Sequence, residues 1–474
     1  MNTDDYLNAL TDQIRYKKAR STVAEEIRIH IEDQTETFLH EGMDEENAEK
    51  MAVQEMGDPI ETGIALDRIH RPRMAWGMIG LVALLSITGL ILQYLVQLDF
   101  SKAQMSGIQT AADRISYLFP VDIQKSIFIV ILGLAMMVFV CYADYSRIGL
   151  WAKEIMIFLF LGILIWKQLA GNTINGALNW VNFGPVSLNI SMLLFLFVPL
   201  YGAALYSYRG KGYRGMIYGL IWMFPPVWIA LLIRSILTVM LLFITFMVVL
   251  TIAVLRGWFQ AARKRTVGIM WFIVLMLPIC MYFLVNARAA VYQVERIQMY
   301  FNYLSRLFGG ANTDSGNGPY YLLEAVHQMV MKSQLVGGGQ MSEGAASVMQ
   351  QSNYYMLAYT LSFYGILAAA VLFSAVIFVF CRFLRISLRQ KNQLGMIMGT
   401  ACSTLFILQL ILYFINNLGI MPTETNIPFL SYAGTGAVIT YILIGILLSI
   451  CRYQNILPVS PPSKALGIRG KVRV

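Results

Sequence analysis

The sequence predicts an all-α, polytopic membrane protein of about ten membrane-spanning helices, with a small soluble helical domain at its amino terminus. Of its 474 residues, 57% are hydrophobic and 13% are charged, whereas soluble domains carry roughly 25% charged residues. The apolar residues form runs near the 20 or so residues that a helix needs to cross a bilayer. These runs begin only after residue 73, so the polar segment before them is expected to lie in water.

Charge divides the chain into two parts. Residues 1–73 contain 17 of the 27 acidic residues and nine of the 36 basic ones, so an acidic head precedes a basic membrane body. Basic residues collect in the cytoplasmic loops of membrane proteins, which explains this basicity without a nucleic-acid partner. The five cysteines show no CxxC spacing and the four histidines show no metal-ligand spacing, so neither a disulfide framework nor a zinc site is expected.

The first 70 residues predict three short helices, with expected starts near Asp4, Ser21 and Asp44. The third is acidic and ends at the sequence MGDP. In this order of features the segment resembles the HAAS-type cytosolic helical domain over roughly residues 5–70. That resemblance implies a docking module for a cytosolic partner, and a solvated cap that stabilises the protein is the alternative.

Ten apolar segments follow, each near the length that crosses a bilayer. We place them at about residues 74–96, 125–144, 151–170, 186–207, 215–233, 235–256, 267–287, 354–381, 393–415 and 432–451. Because Lys and Arg collect on the cytoplasmic side, Arg71 and Arg73 place the amino terminus in the cytoplasm. Alternation places the basic tail, residues 452–474, there too. The membrane domain is thus 74–451, with a large extracytoplasmic loop at 288–353.

The segment 417–436, NLGIMPTETNIPFLSYAGTG, contains prolines and glycines that a membrane-spanning helix does not need. Pro422, Pro428 and three glycines cannot continue a helix without a large cost in free energy. Non-helical backbone beside a bilayer persists only where protein buries it or where it lines a watery cavity. We therefore predict a re-entrant loop at the mouth of a cavity, although composition alone leaves an ordinary connection between two spans open.

An ordered series of motifs resembles the SEDS family (shape, elongation, division and sporulation; the FtsW/RodA/SpoVE type). Residues 417–436 resemble its last extracytoplasmic loop, with PFLSYAGT where the family has PFxSYGGS. Residues 176–185 resemble GARRWI…G, residues 334–339 resemble GLFGKG, and residues 352–355 fall on TDFI. The resemblance covers most of the membrane domain. It implies a multi-pass protein of the bacterial cytoplasmic membrane that acts in peptidoglycan synthesis during division, cell-shape control or sporulation.

The departures from the family pattern replace charged residues with neutral ones. The resemblance implies that the aspartate of TDFI is the catalytic base of a lipid II polymerase, and Asn353 occupies that position. Asparagine can hydrogen-bond a sugar hydroxyl but cannot take its proton at neutral pH, and a positioned base contributes about 10²–10⁴-fold. Further charged positions of the family are matched by Leu178, Asn179, Met192 and Ser235.

These matches define the predicted site. If another carboxylate acts as the base, Glu324 and Asp314 in the external loop are the candidates. The residues expected to bind substrate are Trp180, Arg234, Pro422, Pro428, Phe429, Ser431 and Tyr432. The implied ligand is lipid II or another undecaprenyl-linked precursor, and a transpeptidase or other membrane partner is implied as well. No metal or other cofactor is assigned, although an active enzyme would use a divalent cation at the diphosphate.

Three functions remain open from the sequence. The favoured one is a divergent family member that keeps the scaffold and a precursor cavity, with Asn353 facing a cavity shared with the 417–436 loop. The second is an active peptidoglycan glycosyltransferase with a relocated carboxylate. The third is a non-catalytic scaffold or regulator of a wall synthase. A polymerisation assay on the purified protein separates the second from the other two.

Overall fold

The computed structural model describes residues 1–105, 122–174, 177–183, 186–288, 298, 301–305, 320–423, 425–431 and 434–454. Within these ranges the chain is mainly helical, which confirms the predicted all-α class. Helices of the amino-terminal head come first, the helices of the membrane body follow, and one small sheet lies within that body.

The head consists of four helices rather than the three that we predicted: α1 (Thr3–Asp12), α2 (Lys17–His40), α3 (Glu45–Glu55) and α4 (Pro59–His70). The prediction was wrong because residues 57–59 end one helix and also start another. The Asp58 side chain accepts a hydrogen bond from the Ile60 N–H, and Pro59 occupies the first helical position, where the fixed φ of proline suits a helix start. The head has a hydrophobic core of its own, which includes Tyr6, Leu10, Ile14, Val23 and Ala52.

The membrane body begins with α5 (Trp76–Met105), α6 (Ile123–Tyr142), the short α7 (Tyr145–Leu150) and α8 (Ala152–Ala170). After the sheet come α9 (Ile190–Leu193), a 3₁₀ turn, α10 (Phe197–Tyr206), α11 (Gly212–Leu232), α12 (Ile236–Leu255) and α13 (Arg263–Arg288). The last helices are α14 (Tyr321–Met331), α15 (Glu343–Gln350), α16 (Ser352–Tyr364), α17 (Ile366–Leu388), α18 (Gln393–Asn417) and α19 (Thr435–Arg452).

Seven of these helices, within the described residues, are long and apolar enough to cross a membrane: α5, α6, α11, α12, α17, α18 and α19. Helices α8 and α13 coincide with the third and seventh predicted spans. The centre of the body is α18, because 78% of its most apolar stretch is buried by its neighbours. It packs against α10, α12 and α17, while α19 packs along α6.

The eighth predicted span, 354–381, is not one helix. It is interrupted at Gly365, whose φ of 92° is in the left-handed region. The first backbone N–H groups of any helix lack acceptors within that helix. Here the first two of α17 donate to the carbonyl oxygens of Gln334 and Leu335, at 2.9 and 3.2 Å. The apolar run concealed this break, so Asn353 lies on a separate helix, α16, and not at the end of a long span.

A three-stranded antiparallel sheet precedes α9 and was not predicted. Its strands are β1 (Gly171–Ile174), β2 (Ala177–Phe183) and β3 (Val186–Asn189), in that order. Trp180 on β2 is the register partner of Asn189 on β3. The fourth predicted span, 186–207, therefore starts as a strand, and its helical part covers residues 190–206 only.

Candidate functional site

The central part of the 417–436 loop, residues 423 and 425–431, runs inside the bundle. Thr423, Thr425, Ile427, Leu430 and Ser431 are each at most 5% exposed. The loop supplies its own hydrogen bonds, because the Ser431 hydroxyl donates to the Ile427 carbonyl oxygen at 2.9 Å and accepts from the Ile427 N–H at 3.0 Å. Buried backbone groups need such partners, so this serine has a structural role in the loop.

Helix α5 presents a polar face to the loop. The Gln93 side chain donates to the Leu430 carbonyl oxygen at 3.2 Å, and the Ser86 and Tyr441 hydroxyls share a hydrogen bond of 2.6 Å. Gly89, on the same face, lies so close to the loop that an added Cβ would be 2.0 Å from the Phe429 carbonyl oxygen. The missing side chain of Gly89 therefore allows the loop backbone to rest on α5.

Phe429 packs in the core. Its ring stacks on Phe380 at 6.1 Å and 19° and meets Tyr441 edge-on at 6.0 Å. Its backbone φ is 72°, an unfavourable value for a bulky residue that a packed environment has to hold in place. The side chain is 6% exposed, so in this conformation its contacts are with protein rather than with a substrate.

A small cavity separates the loop from α5, α6 and α19. It has a volume of about 20 Å³, and polar side chains of Gln93, Ser126, Ser431, Thr440 and Tyr441 line it with four apolar residues. That volume exceeds the roughly 10–15 Å³ that one water molecule needs. This cavity is therefore a water-sized space behind the loop with a mainly apolar lining, and the precursor cavity stays a prediction.

Asn353 is the second residue of α16, and the end of α18 distorts that helix. In a regular helix the Ala358 N–H would donate to the Tyr354 carbonyl oxygen. Instead the Asn417 amide lies between them: it donates to the Tyr354 oxygen at 2.9 Å and accepts from the Ala358 N–H at 3.0 Å. A side chain inserted in this way bends a helix, and residue 355 indeed has the non-helical φ of −124°.

A second asparagine ties α16 to the loop itself. The Asn416 amide donates to the Tyr354 carbonyl oxygen at 3.2 Å, and its oxygen accepts from the Thr423 N–H at 3.1 Å. Asn416 is fully buried. One amide therefore connects the residue after Asn353 with the middle of the 417–436 loop. The backbone next to Asn353 therefore lies beside Thr423 of the loop, and the role of Asn353 in a shared cavity stays a prediction.

Three polar atoms in this region are buried and have no hydrogen-bond partner among the described residues: Ser352 Oγ, Asn353 Oδ1 and Asn426 Oδ1. Ser352 and Asn353 begin α16, and Asn426 belongs to the loop. A buried polar atom without a partner costs about 1–3 kcal/mol. Such atoms recur at functional sites, where a ligand completes their hydrogen bonds.

A carboxylate from α5 reaches α16, which the sequence analysis did not anticipate. Asp99 accepts a hydrogen bond from the Tyr359 hydroxyl at 2.8 Å and lies 3.3 Å from the Lys102 ammonium. Tyr359 is fully buried, while the Asp99 side chain is 21% exposed. No local pattern indicated this pair, because the two residues are 260 positions apart. The sequence feature that could have indicated Asp99 is its position near the end of an apolar span, because an acidic residue in that place tends to be functional or paired with another group.

Glu324 and Arg234 lie on different elements. Glu324, half-buried, is on α14, whose residue His327 has its Nδ1 atom 3.3 Å from the Leu418 carbonyl oxygen. Helix α14 thus packs at the start of the loop. Arg234 is exposed and lies in the turn between α11 and α12, with φ of 60°.

The other predicted residues are distributed around the loop. Pro422 is exposed and Pro428 is buried. The strand that carries Trp180 pairs with the strand that ends at Asn189, whose N–H donates to the Thr435 hydroxyl at 3.3 Å. The backbone at Trp180 therefore lies near the end of the loop. Asp314 and Tyr432 are outside the described residues.

The fold and this site define a class: a polytopic α-helical membrane protein with a largely buried, non-helical loop beside a distorted helix. The FtsW/RodA/SpoVE family, described as cell cycle proteins, matches residues 81–456. The chain belongs to this family, and the predicted SEDS resemblance is confirmed. It is thereby an integral membrane protein of the group that acts in peptidoglycan synthesis, cell division and cell shape. The HAAS-like character of the head remains a prediction.

Individual relatives agree with this assignment. The putative peptidoglycan glycosyltransferase FtsW of Mesostigma viride is 24% identical over 307 residues, which are 62% of this chain and 67% of that protein. A chain of a peptidoglycan synthase complex, studied for the coordination of polymerization and crosslinking, has a TM-score of 0.60 at 18% identity over 80% of this chain and 99% of its own. The rod shape determining protein RodA of Thermus thermophilus has a TM-score of 0.51 at 15% identity, with 80% and 97% covered. These two structures show a shared fold.

Proposed function

We propose that this protein binds an undecaprenyl-linked diphosphate precursor of the lipid II class against α16 and the 417–436 loop. The protein acts in the bacterial cytoplasmic membrane with both termini in the cytoplasm, as a divergent SEDS protein whose own glycosyl transfer is slow. One observation carries the proposal. Asn353 Oδ1 is a buried acceptor without a donor among the described residues, on a helix that two buried asparagines tie to the loop.

The chemistry of the Asn353 side-chain amide explains both the proposed binding of the precursor and the slow glycosyl transfer. A sugar hydroxyl can donate to Asn353 Oδ1, which satisfies an atom that is otherwise costly to bury. Asn426 Oδ1, the corresponding atom on the loop, can accept a second hydroxyl. Glycan extension requires that a proton leaves the attacking hydroxyl, and an amide cannot take it at neutral pH. Loss of a general base lowers a rate by about 10²–10⁴-fold.

A membrane partner completes the proposal. The matched synthase complex couples polymerization with crosslinking, so we expect this chain to work beside a crosslinking enzyme such as a transpeptidase. The chain would hold the precursor and position the partner. No metal site is assigned to it, and within the described residues no group of three or more metal-ligating side chains occurs.

A gain-of-function substitution provides the test. Purified protein in nanodiscs should bind lipid II yet form few glycan strands, and Asn353→Asp should raise the rate of strand formation by about 10²-fold or more. Asn353→Leu should weaken lipid II binding, because its side chain cannot accept a hydrogen bond. Asn47→Asp, on the head, adds the same charge far from the site and should change neither measurement. Unchanged binding in Asn353→Leu together with an unchanged rate in Asn353→Asp would refute the site.

A second function, active glycosyl transfer by a relocated carboxylate, is favoured by Asp99. Its carboxylate accepts a hydrogen bond from Tyr359 of α16, which supports Asp99 as a candidate base beside Glu324. If wild-type protein forms long strands, Asp99→Asn should abolish them and Glu324→Gln should not. Strand formation that survives Asp99→Asn would exclude this second function.

A further inference from the structure

Within the described residues, an aromatic side chain of the head contacts the membrane body. Tyr16 lies between α1 and α2, and its ring is 6.1 Å from the ring of Tyr453, just after α19. Tyr16 packs against the hydrophobic core of the head and also against that of the body. Tyr453 is 7% exposed. A head that was merely tethered by the 71–75 linker would not place the same ring in both cores.

The surface beneath Tyr16 is built from the ends of α6 and α19. The Arg452 guanidinium lies over the Tyr142 ring at 4.2 Å and over the Tyr453 ring at 5.3 Å. The Arg452 backbone carbonyl oxygen accepts a hydrogen bond from the Arg73 N–H at 3.1 Å. The Tyr453 hydroxyl donates to the Tyr142 carbonyl oxygen at 3.2 Å. These contacts fix Tyr142, Arg452 and Tyr453 relative to one another, and together the three side chains form the aromatic platform against which Tyr16 packs.

Charged groups of the body also face Tyr16. Burial, and next the carboxylate of Asp144, raise the pKa of the Tyr16 hydroxyl to about 12, while Arg147 and Arg452 act in the opposite direction. The hydroxyl therefore stays neutral over the physiological range. The contact depends on ring packing, and moderate changes in pH should not release it.

Two helices, α19 and α5, extend from the region of this platform to the candidate site. Helix α19 runs from Thr435, at the end of the 417–436 loop, to Arg452, a distance of about 27 Å at 1.5 Å per residue. Helix α5 begins just after the linker and carries Gly89 against the Phe429 carbonyl oxygen. A change at the head can therefore reach the loop through two rigid helices.

We propose that the head is a regulatory domain, docked on the bundle through Tyr16, and that its release alters the 417–436 loop through α19 and α5. A partner that binds the head in a conformation incompatible with docking would shift this equilibrium. An aromatic ring pair such as Tyr16 and Tyr453 contributes a modest free energy, so a partner that binds the head can supply the free energy needed to release it. The coupling to the loop rests on the proposed function; the docking itself does not.

Limited trypsin digestion of the full-length protein in nanodiscs tests the docking. Cleavage after Arg73 releases the head, since Pro72 prevents cleavage after Arg71, and docking restrains this linker through the hydrogen bond from the Arg73 N–H to the Arg452 carbonyl oxygen. Tyr16→Ala should speed release on the order of tenfold, given what an aromatic pair contributes. Tyr453→Ala should do the same without altering the head, and Tyr16→Phe should behave as wild type.

Two further comparisons make the result decisive. The double variant of Tyr16 and Tyr453 should cleave no faster than either single variant, because both remove one contact. Ile29→Ala, at an exposed position on α2, should have no effect. Wild-type cleavage in both single alanine variants, or additive effects in the double variant, would overturn the docking.

Lipid II tests the coupling separately. Coupling between two sites is reciprocal in their equilibrium affinities, so if docking of the head alters lipid II affinity, bound lipid II should shift the docking equilibrium and thereby change the amount of head released. Bound lipid II that leaves the cleavage rate unchanged would overturn the coupling alone. A protein that binds no lipid II would refute the proposed function, while the tyrosine variants would still decide the docking.

Discussion

Gly89→Ala is the sharpest perturbation of the loop. The new methyl group would lie 2.0 Å from the Phe429 carbonyl oxygen and 2.9 Å from the Leu430 Cα atom. Ordinary carbon–oxygen contacts are about 3.3 Å or longer, so the loop backbone must retreat by about 1.3 Å. The neighbouring atoms are backbone, which cannot swing aside as a flexible side chain can. We therefore expect the loop to move away from α5.

The cost can be estimated from three contributions. Overpacking of a close contact costs about 1–3 kcal/mol. The retreat would also break the hydrogen bond from Gln93 to the Leu430 carbonyl oxygen, a loss of about 0.5–1.5 kcal/mol. Alanine favours a helix over glycine by about 1 kcal/mol, which offsets part of this. The net destabilisation is about 1–3 kcal/mol.

The measurement is thermal unfolding in a mild detergent, together with lipid II binding. Gly89→Ala should lower the melting temperature by a few degrees and weaken binding. Gly80→Ala is the matched control, because Gly80 lies on the same helix and a Cβ there would meet nothing within 4 Å. It should be neutral or slightly stabilising. If both variants unfold and bind alike, the loop does not rest on α5 as described.

Three further predictions follow from particular contacts. Asn417→Ala leaves the buried Ala358 N–H of α16 without its acceptor, while the Tyr354 carbonyl oxygen keeps the Asn416 amide as a donor. Stability should therefore fall by about 1–3 kcal/mol in chemical denaturation, and an unchanged stability would contradict the inserted amide. Gly365→Ala combines a left-handed φ with a Cβ 2.7 Å from backbone, and should destabilise more than Gly210→Ala, where φ is also positive but the space is open. Hydrogen bonds from Thr3 lower the pKa of Glu49, so the ionised carboxylate stabilises the head at a pH above its unfolded pKa, and this stabilisation is lost as the pH falls through the lower folded pKa. In Glu49→Gln, the stability of the head, followed by circular dichroism, should therefore depend less on pH in the acid range. An unchanged pH dependence would exclude the contribution.

Much of the candidate site was visible in the sequence. The prolines and glycines of residues 417–436 predicted backbone that protein must bury, and the loop is buried. The TDFI-like position predicted that Asn353 would lie near it, and Asn416 links the two segments. The burial of the central loop and the family could be predicted because they depend on local backbone chemistry and on an ordered series of motifs, both of which a sequence contains, while the role of Asn353 stays a prediction.

Roles of single side chains were harder to predict. Phe429 and Ser431 were expected to bind substrate, yet their contacts in the structure are with Phe380, Tyr441 and Ile427. A motif match identifies a position, but burial decides whether its side chain serves the core or a ligand. Their substrate role therefore remains a prediction that this conformation does not support.

The sequence by itself determined the class of protein, the positions of most spans and the buried loop, because hydropathy and helix-breaking residues act locally. Only the tertiary structure revealed the break at Gly365, the Asn417 amide within α16, the Asp99–Tyr359 pair and the contact of Tyr16 with Tyr453. Each of these features either joins residues that are distant along the chain or depends on backbone groups whose hydrogen-bond partners lie in another segment. Such partners are chosen by packing, and packing depends on the whole arrangement of helices rather than on any one stretch of residues.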